Sequence, residues 1–138
     1  MATTSPTKMT IEEFLALPDD GVHRELIRGE LREYPEMTTR NAKHAYVVLR
    51  VSQALANWFD AQTQLEGVVV SGDARCRLST NPDNIVGIDI ALFLGNEAID
   101  VVERSGTFEG APLLAVEVLS PTDTHENLVE KIRLYLDA

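Results

Sequence analysis

Positive charge is scarce in this sequence, and unevenly so. The chain holds 12 Lys and Arg against 22 Asp and Glu, a formal net charge of −10. A sequence-independent grip on a polyanion needs clustered cations, so the overall balance opposes one. The deficit sits mostly in one part: residues 1–50 carry seven cations against eight acids, and residues 51–138 five against fourteen. Any polyanion is therefore expected to meet the N-terminal part, around Arg24, Arg28, Arg32, Arg40, Lys43 and Arg50. Cysteine is nearly absent. Cys76 alone can form no internal disulfide and belongs to no zinc-ligand spacing. No apolar run nears the roughly 20 residues that cross a bilayer, and the start lacks the apolar core of a signal peptide. No membrane partner and a cytoplasmic location follow as expectations. What the chain does have is 44% apolar residues over 138 positions, which suits a single packed domain spanning 1–138.

Local patterns divide the chain. Thr10 followed by Glu13 is the capping-box spacing of a short helix, closed by Pro18 to Gly21. Residues 23–34 read as a hairpin turning at Arg28-Gly29, with Pro35 behind it. From 43 to 62 the period becomes helical, with His44, Val47, Val48, Val51, Leu55, Trp58 and Phe59 at three- and four-residue spacings. A strand over 67–78 carries an irregularity at Ser71-Gly72. A turn at 81–84 and a second strand follow. Residues 99–112 look like a connecting segment with room for a short strand. A third strand covers 113–119, and a helix begins near His125 behind the cap candidates of 120–124. Helices before and after a strand cluster predict an α/β or α+β sandwich around a mixed sheet. The closing helix has little chain behind it, so a C-terminal part of the domain is expected to be missing.

Two acids interrupt apolar runs. Asp89 lies inside 85–94 and Glu117 inside 113–119. Both runs read as strands buried on both faces, where an ionised group is costly unless paired or bound to a metal. Acids on adjacent strands, about 4.8 Å apart, can share one ion. Mg²⁺ suits such a pair, since it takes oxygen ligands and is often held by one or two carboxylates plus water and phosphate. Lys131 falls on the apolar stripe of the last helix, between Leu128 and Tyr135. A stripe lysine commonly keeps its head in water. Here the short path from Glu117 allows it to return to the same site, with Tyr135 one turn later to steady it. Its charge could then orient an attacking water or meet a phosphoryl transition state. By themselves His44 reads as a capped or core histidine at the helix start, Glu25 as an exposed strand residue unless the hairpin folds over the site, and His23 and His125 as surface residues. Cys76 is expected to pack inward.

At these residues the chain resembles the bacterial Uma-type restriction endonuclease family, a branch of the PD-(D/E)XK nuclease superfamily. The resemblance covers nearly the whole chain. It rests on Met9-Thr-Ile-Glu-Glu-Phe-Leu-Ala-Leu-Pro18, on Arg24-Glu-Leu-Ile-Arg-Gly-Glu-Leu31, on His44, and most specifically on Val116-Glu-Val-Leu-Ser-Pro121 followed by Glu130-Lys131 and Tyr135. It implies a restriction-endonuclease-like mixed sheet flanked by helices, with an N-terminal helix and hairpin. It places the family's metal-binding acids on Asp89 and Glu117. The superfamily lysine two residues after the Glu is replaced by Leu119, and in this branch its counterpart falls on Lys131. Glu25 and His44 become secondary site candidates. Two departures stand out: Ile88 replaces the usual Pro before the Asp, and family chains commonly continue past the last helix. The expected activity is Mg²⁺-dependent (or Mn²⁺-dependent) endonucleolytic hydrolysis of nucleic acid, DNA first. Asp89, Glu117 and the Val118 carbonyl would hold the metal, and Lys131 would serve catalysis. The competing expectation is a nuclease fold without catalysis, acting as a binding or self-association module. A homodimer is expected in either case.

Overall fold

The computed structural model describes residues 8–35 and 41–138. The order is α1 (Ile11–Leu15), β1 (His23–Ile27), β2 (Glu30–Tyr34), α2 (Ala42–Asp60), β3 (Gly67–Ser79), β4 (Asn84–Leu94), α3 (Asn96–Glu103), β5 (Phe108–Glu109), β6 (Leu114–Val116) and α4 (His125–Asp137). Six strands form one mixed sheet in the order β2-β1-β4-β3-β5, with β6 also paired to β4. β5 runs parallel to β3, and the other pairs are antiparallel. This is the α+β architecture expected from the sequence.

Local chemistry accounts for the elements around the site. The Thr10 hydroxyl accepts from the Glu13 amide while the Glu13 carboxylate accepts from the Thr10 amide, so α1 starts with a closed capping box. Its Ile11 and Phe14 pack with Leu26 and Ile85. The β1–β2 hairpin turns at Arg28 (φ 53°) and Gly29 (φ 79°), and two successive positive φ values are what a tight two-residue hairpin turn demands. Asn84, buried at the start of β4, fastens that turn from behind. Its Oδ1 accepts from the Arg28 amide at 2.6 Å, and its Nδ2 donates to Ser79 Oγ at 2.7 Å. α2, capped by Asn41, rests on β3 and β4 and buries only His44 fully.

β4 is the centre of the sheet and is buried along nearly its whole length. β3 covers one of its edges throughout. Ser71 and Ala74 of β3 stand opposite Ile90 and Ile88, so Gly72 and Asp73 together face Asp89 in a bulge. Both bulge residues have positive φ, and the bulge falls where the sequence placed its irregularity. The other edge of β4 is divided. β1 holds it at Ile85, and β6 holds it from Ile90 to Leu92. Between those pairings β4 has no strand beside it among the described residues.

Two expectations change. The segment over 99–112 contains a helix: α3 buries Ala98 and Val101 at a three-residue spacing, too short a pattern to stand out, and β5 follows it. The run around Glu117 is not a strand buried on both faces. β6 has three residues, and Leu113, Leu114 and Leu119 are 64%, 43% and 57% exposed. The reason is its position, since among the described residues β6 pairs only with β4 and has no strand on its outer edge.

Candidate active site

The divided edge of β4 is where the charged residues converge. The β4–β6 register pairs Ile90 with Val116, so one step further brings Asp89 opposite Glu117. The Val118 amide donates to Asp89 Oδ2 at 2.8 Å, extending the connection past the end of β6. Lys131, from the second turn of α4, reaches into the gap between β1 and β6. Its Nζ lies 3.1 Å from Glu25 Oε1, 3.1 Å from Glu117 Oε1 and 3.0 Å from the Gly87 carbonyl. The ammonium thus satisfies a carbonyl that a neighbouring strand would otherwise take. Its head does not stay in water. The Tyr135 hydroxyl donates to Glu117 Oε1, and His44 Nε2 stands 3.4 Å from Asp89 Oδ2. All three first-choice residues, and the secondary candidates Glu25, His44 and Tyr135, therefore meet in one neighbourhood.

Glu25 corrects the reading of an exposed strand residue: it is 6% exposed. Hairpin register explains this. His23 pairs with Tyr34 and Glu25 with Arg32, so alternation places these four on the side that overhangs the cavity. His23 is no plain surface residue either, with Nε2 3.5 Å from Glu25 Oε1 and its ring 5.5 Å from that of Tyr34. Arg32 crosses the mouth of the cavity to a bidentate pair with Glu130 on α4. The sequence reading missed His23, Arg32, Tyr34, Asp73 and Glu130 as cavity walls. For the first three, the two-residue turn and period of two held the signal. His125 is exposed, and Cys76 packs inward with its thiol pushed up to about 12 by burial and by Glu109.

Two of the N-terminal arginines are engaged by acids. Arg24 is taken by Asp20 and Glu33, and Arg32 by Glu130. Arg40 lies outside the described residues.

Electrostatically the site is short of positive charge. Burial tends to raise the Glu25 carboxyl, but His23 and Lys131 outweigh it and leave Glu25 below its ordinary value. Burial also raises Glu117, and there Lys131 and Tyr135 do not recover the difference, with Asp89 adding to the rise. Burial opposes the charge on Lys131, yet Glu25 and Glu117 more than compensate and hold it above the usual lysine range. Tyr135 is raised far, by burial and by the Glu117 charge. Lys131 is accordingly a fixed cation and no base at neutral pH.

A divalent ion fits this donor set. The contacts at the two acids end on Asp89 Oδ2 and Glu117 Oε1, while Asp89 Oδ1 and Glu117 Oε2 take none of them. Both residues line one cavity together with Val118. Burial first, and the Asp89 charge after it, lift Glu117, and a bound cation would favour both carboxylates in their charged form. Among the described residues no three His, Cys, Asp or Glu side chains form a closed cage, so protein groups could supply only part of an ion's coordination. Mg²⁺ tolerates that, keeping several waters. His44 Nδ1 is buried and has no hydrogen-bond partner among the described residues.

This fold has a solved counterpart. The crystal structure described as "a putative nuclease belonging to DUF820 from Anabaena variabilis" is similar with a TM-score of 0.68, at 22% identity, over 94% of this chain and 68% of that one. A family model described as "Uma2: Putative restriction endonuclease" matches residues 11–138, and the chain belongs to that family. No curated protein matches the sequence. No helix among the described residues is long and apolar enough to cross a membrane.

Proposed function

We propose that the chain is an endonuclease that hydrolyses phosphodiester bonds of nucleic acid, DNA in the first instance, with Mg²⁺ as its cation and Mn²⁺ as a substitute. The observation that carries this is Lys131 Nζ at 3.1 Å from both Glu25 and Glu117 inside the cavity that Asp89 lines. Family membership supports the reaction class and a nucleic-acid substrate.

Asp89 and Glu117, with the Val118 carbonyl, would hold the cation. When bound, it polarises the scissile phosphate and acidifies a coordinated water. The protein's own share is placement and charge. Glu25 and the Gly87 carbonyl fix two of the three N–H donors of Lys131. The contact to Glu117 is the exchangeable one, and an N–H released from it can orient the attacking water or meet charge on the phosphate. Tyr135 holds the Glu117 carboxylate, and His44 flanks Asp89 from α2. Glu25, Tyr135 and His44 are positioning residues.

Incubation of supercoiled plasmid, single-stranded DNA and RNA with Mg²⁺ or Mn²⁺ tests the proposal. The parent should cleave at least one substrate only with the divalent ion. Asp89→Asn, Glu117→Gln and Lys131→Met should each lower the rate by at least about 100-fold, as loss of a charge-stabilising group in a reaction centre does. A folded parent that binds the ion, seen by thermal shift, yet cleaves nothing overturns the enzyme in favour of a binding module. Self-association is proposed on the open edge of β6 with its exposed Leu113 and Leu114. A monomer in sedimentation at micromolar concentration refutes it.

A further inference from the structure

A second cavity adjoins the first. It lies between α1 and the start of β1 on one side and β3–β4 on the other, and it shares His23, Asp73 and Gly87 with the catalytic cavity. The two differ in size. The catalytic cavity has room of about 100 Å³, and its neighbour about 320 Å³. Small-molecule pockets begin near 300 Å³, and the second cavity falls in that range.

Its chemistry is divided as well. Phe14, Leu15, Leu17, Pro18 and Val22 make an apolar wall, with Leu15 48% exposed. Arg75 stands on β3 directly opposite Gly87. Its guanidinium is exposed and forms no ion pair with any described residue, whereas Arg24 in the same wall is held by Asp20 and Glu33. Asp19 and Asp73 also border the space. The Asp19 charge disfavours an anion away from Arg75, and its carboxylate could accept a hydrogen bond from the N–H group of a base edge.

Gly87 lies where the two cavities meet, and its lack of a side chain leaves space there. A Cβ there would come within 3.2 Å of His23 Cε1 and 3.4 Å of Asp73 Cβ. Its carbonyl is the one that Lys131 holds. A strand bound with its scissile phosphate beside Lys131 would therefore have its adjoining nucleotide at the Gly87 passage.

We propose that the second cavity is a nucleotide subsite, taking the residue next to the scissile bond with its base on the Phe14–Val22 wall and its phosphate on Arg75. The subsite rests on the nuclease reading above. It implies that a single strand, or a duplex end opened at one base, is the form bound, because a base paired inside a helix cannot enter a cavity.

Equilibrium binding of a fluorescein-labelled tetradeoxynucleotide, followed by anisotropy with Mg²⁺ present, tests it in the Glu117→Gln protein, where cleavage is silenced. Adding Arg75→Ala should raise Kd roughly ten-fold, the loss expected of one charge-assisted phosphate contact. It should also lower the slope of log Kd against log salt by about 0.7, the share of one phosphate on a single strand. Arg75→Lys should recover part of the affinity. Leu15→Asp, an exposed change, should weaken binding as well. Binding by the parent with unchanged Kd and salt slope in both variants overturns the subsite alone. A parent that neither binds nor cleaves any oligonucleotide overturns the nuclease reading and the subsite with it.

Discussion

Arg24 and Lys131 are each one cation held between two carboxylates, and the two clusters answer to opposite physics. Arg24 meets Asp20 at 2.8 Å and Glu33 at 2.7 Å, acids whose side chains are 44% and 49% exposed. Water already solvates those charges, so the close contacts show mainly as an Asp20 carboxyl pulled down to about 2, by the hydrogen bond from Arg24 first. Lys131 meets Glu25 and Glu117 at 3.1 Å each, with side-chain exposures of 7% and 19%. There the same two-to-one count leaves Glu117 above its ordinary value, because burial outweighs the attraction. Ion-pair number says little; solvent access decides. The surface cluster is satisfied, and the buried one retains a demand for positive charge.

The comparison breaks most visibly on removing each cation. Lys131→Met leaves buried acids without their partner, and the usual cost is about 3–5 kcal/mol. Urea denaturation at neutral pH should show that drop. Arg24→Met should leave the midpoint near the parent's, since exposed pairs contribute little. Equal losses would erase the distinction. Glu117→Gln comes next, as the variant that separates stability from catalysis: it should lose cleavage and yet unfold no earlier than the parent without metal.

Its pH dependence sharpens the point. A carboxyl raised in the folded state favours folding below its unfolded value and loses that contribution as pH rises through the folded one. The advantage of Glu117→Gln should therefore be largest near neutrality and shrink as pH falls toward the ordinary 4.5. Glu25, lowered in the fold, has the opposite sign, stabilising at neutral pH and losing that contribution only below 4.5. Melting curves of Glu25→Gln and Glu117→Gln at several pH values should diverge in these two senses. Parallel curves would refute the assigned shifts. Tyr135→Phe is smaller, costing about 1–2 kcal/mol for one hydrogen bond to a buried charge. Asp20→Asn should be the smallest, with no resolvable change in midpoint at neutral pH.

The parts legible in sequence were those whose signal is local. Thr10 and Glu13 announced α1, Arg28-Gly29 the hairpin turn, Ser71-Gly72 the bulge, and the acids inside apolar runs the position of the site. Glu25 stayed open between an exposed strand position and a site residue, because its partner Lys131 on α4 lies over a hundred residues away, which local patterning cannot report. His23, Arg32 and Tyr34 follow once the register of a two-residue turn is applied, since alternation carries them with Glu25. The short life of β6 was hidden for another reason. An apolar run looks the same whether two strands flank it or one. A count of arginines does not reveal which of them are engaged: Arg24 is held by an acid nine residues away and Arg32 by one on another element.

The hairpin that overhangs the site is fastened at both ends by contacts remote along the chain. Asn84 holds the Arg28 turn across 56 residues, Glu130 meets Arg32 across 98, and Lys131 meets Glu25 across 106. β3 and β4, by contrast, are joined by the short segment between Ser79 and Asn84 and can pair early. Long loops must close before such distant contacts reward the chain, so they form late. The order of assembly then separates scaffold from chemistry. A chain halted midway would hold the β3–β4 pair and Asp89 in place with no lysine beside it, and only the final docking of α4 would bring the site into being.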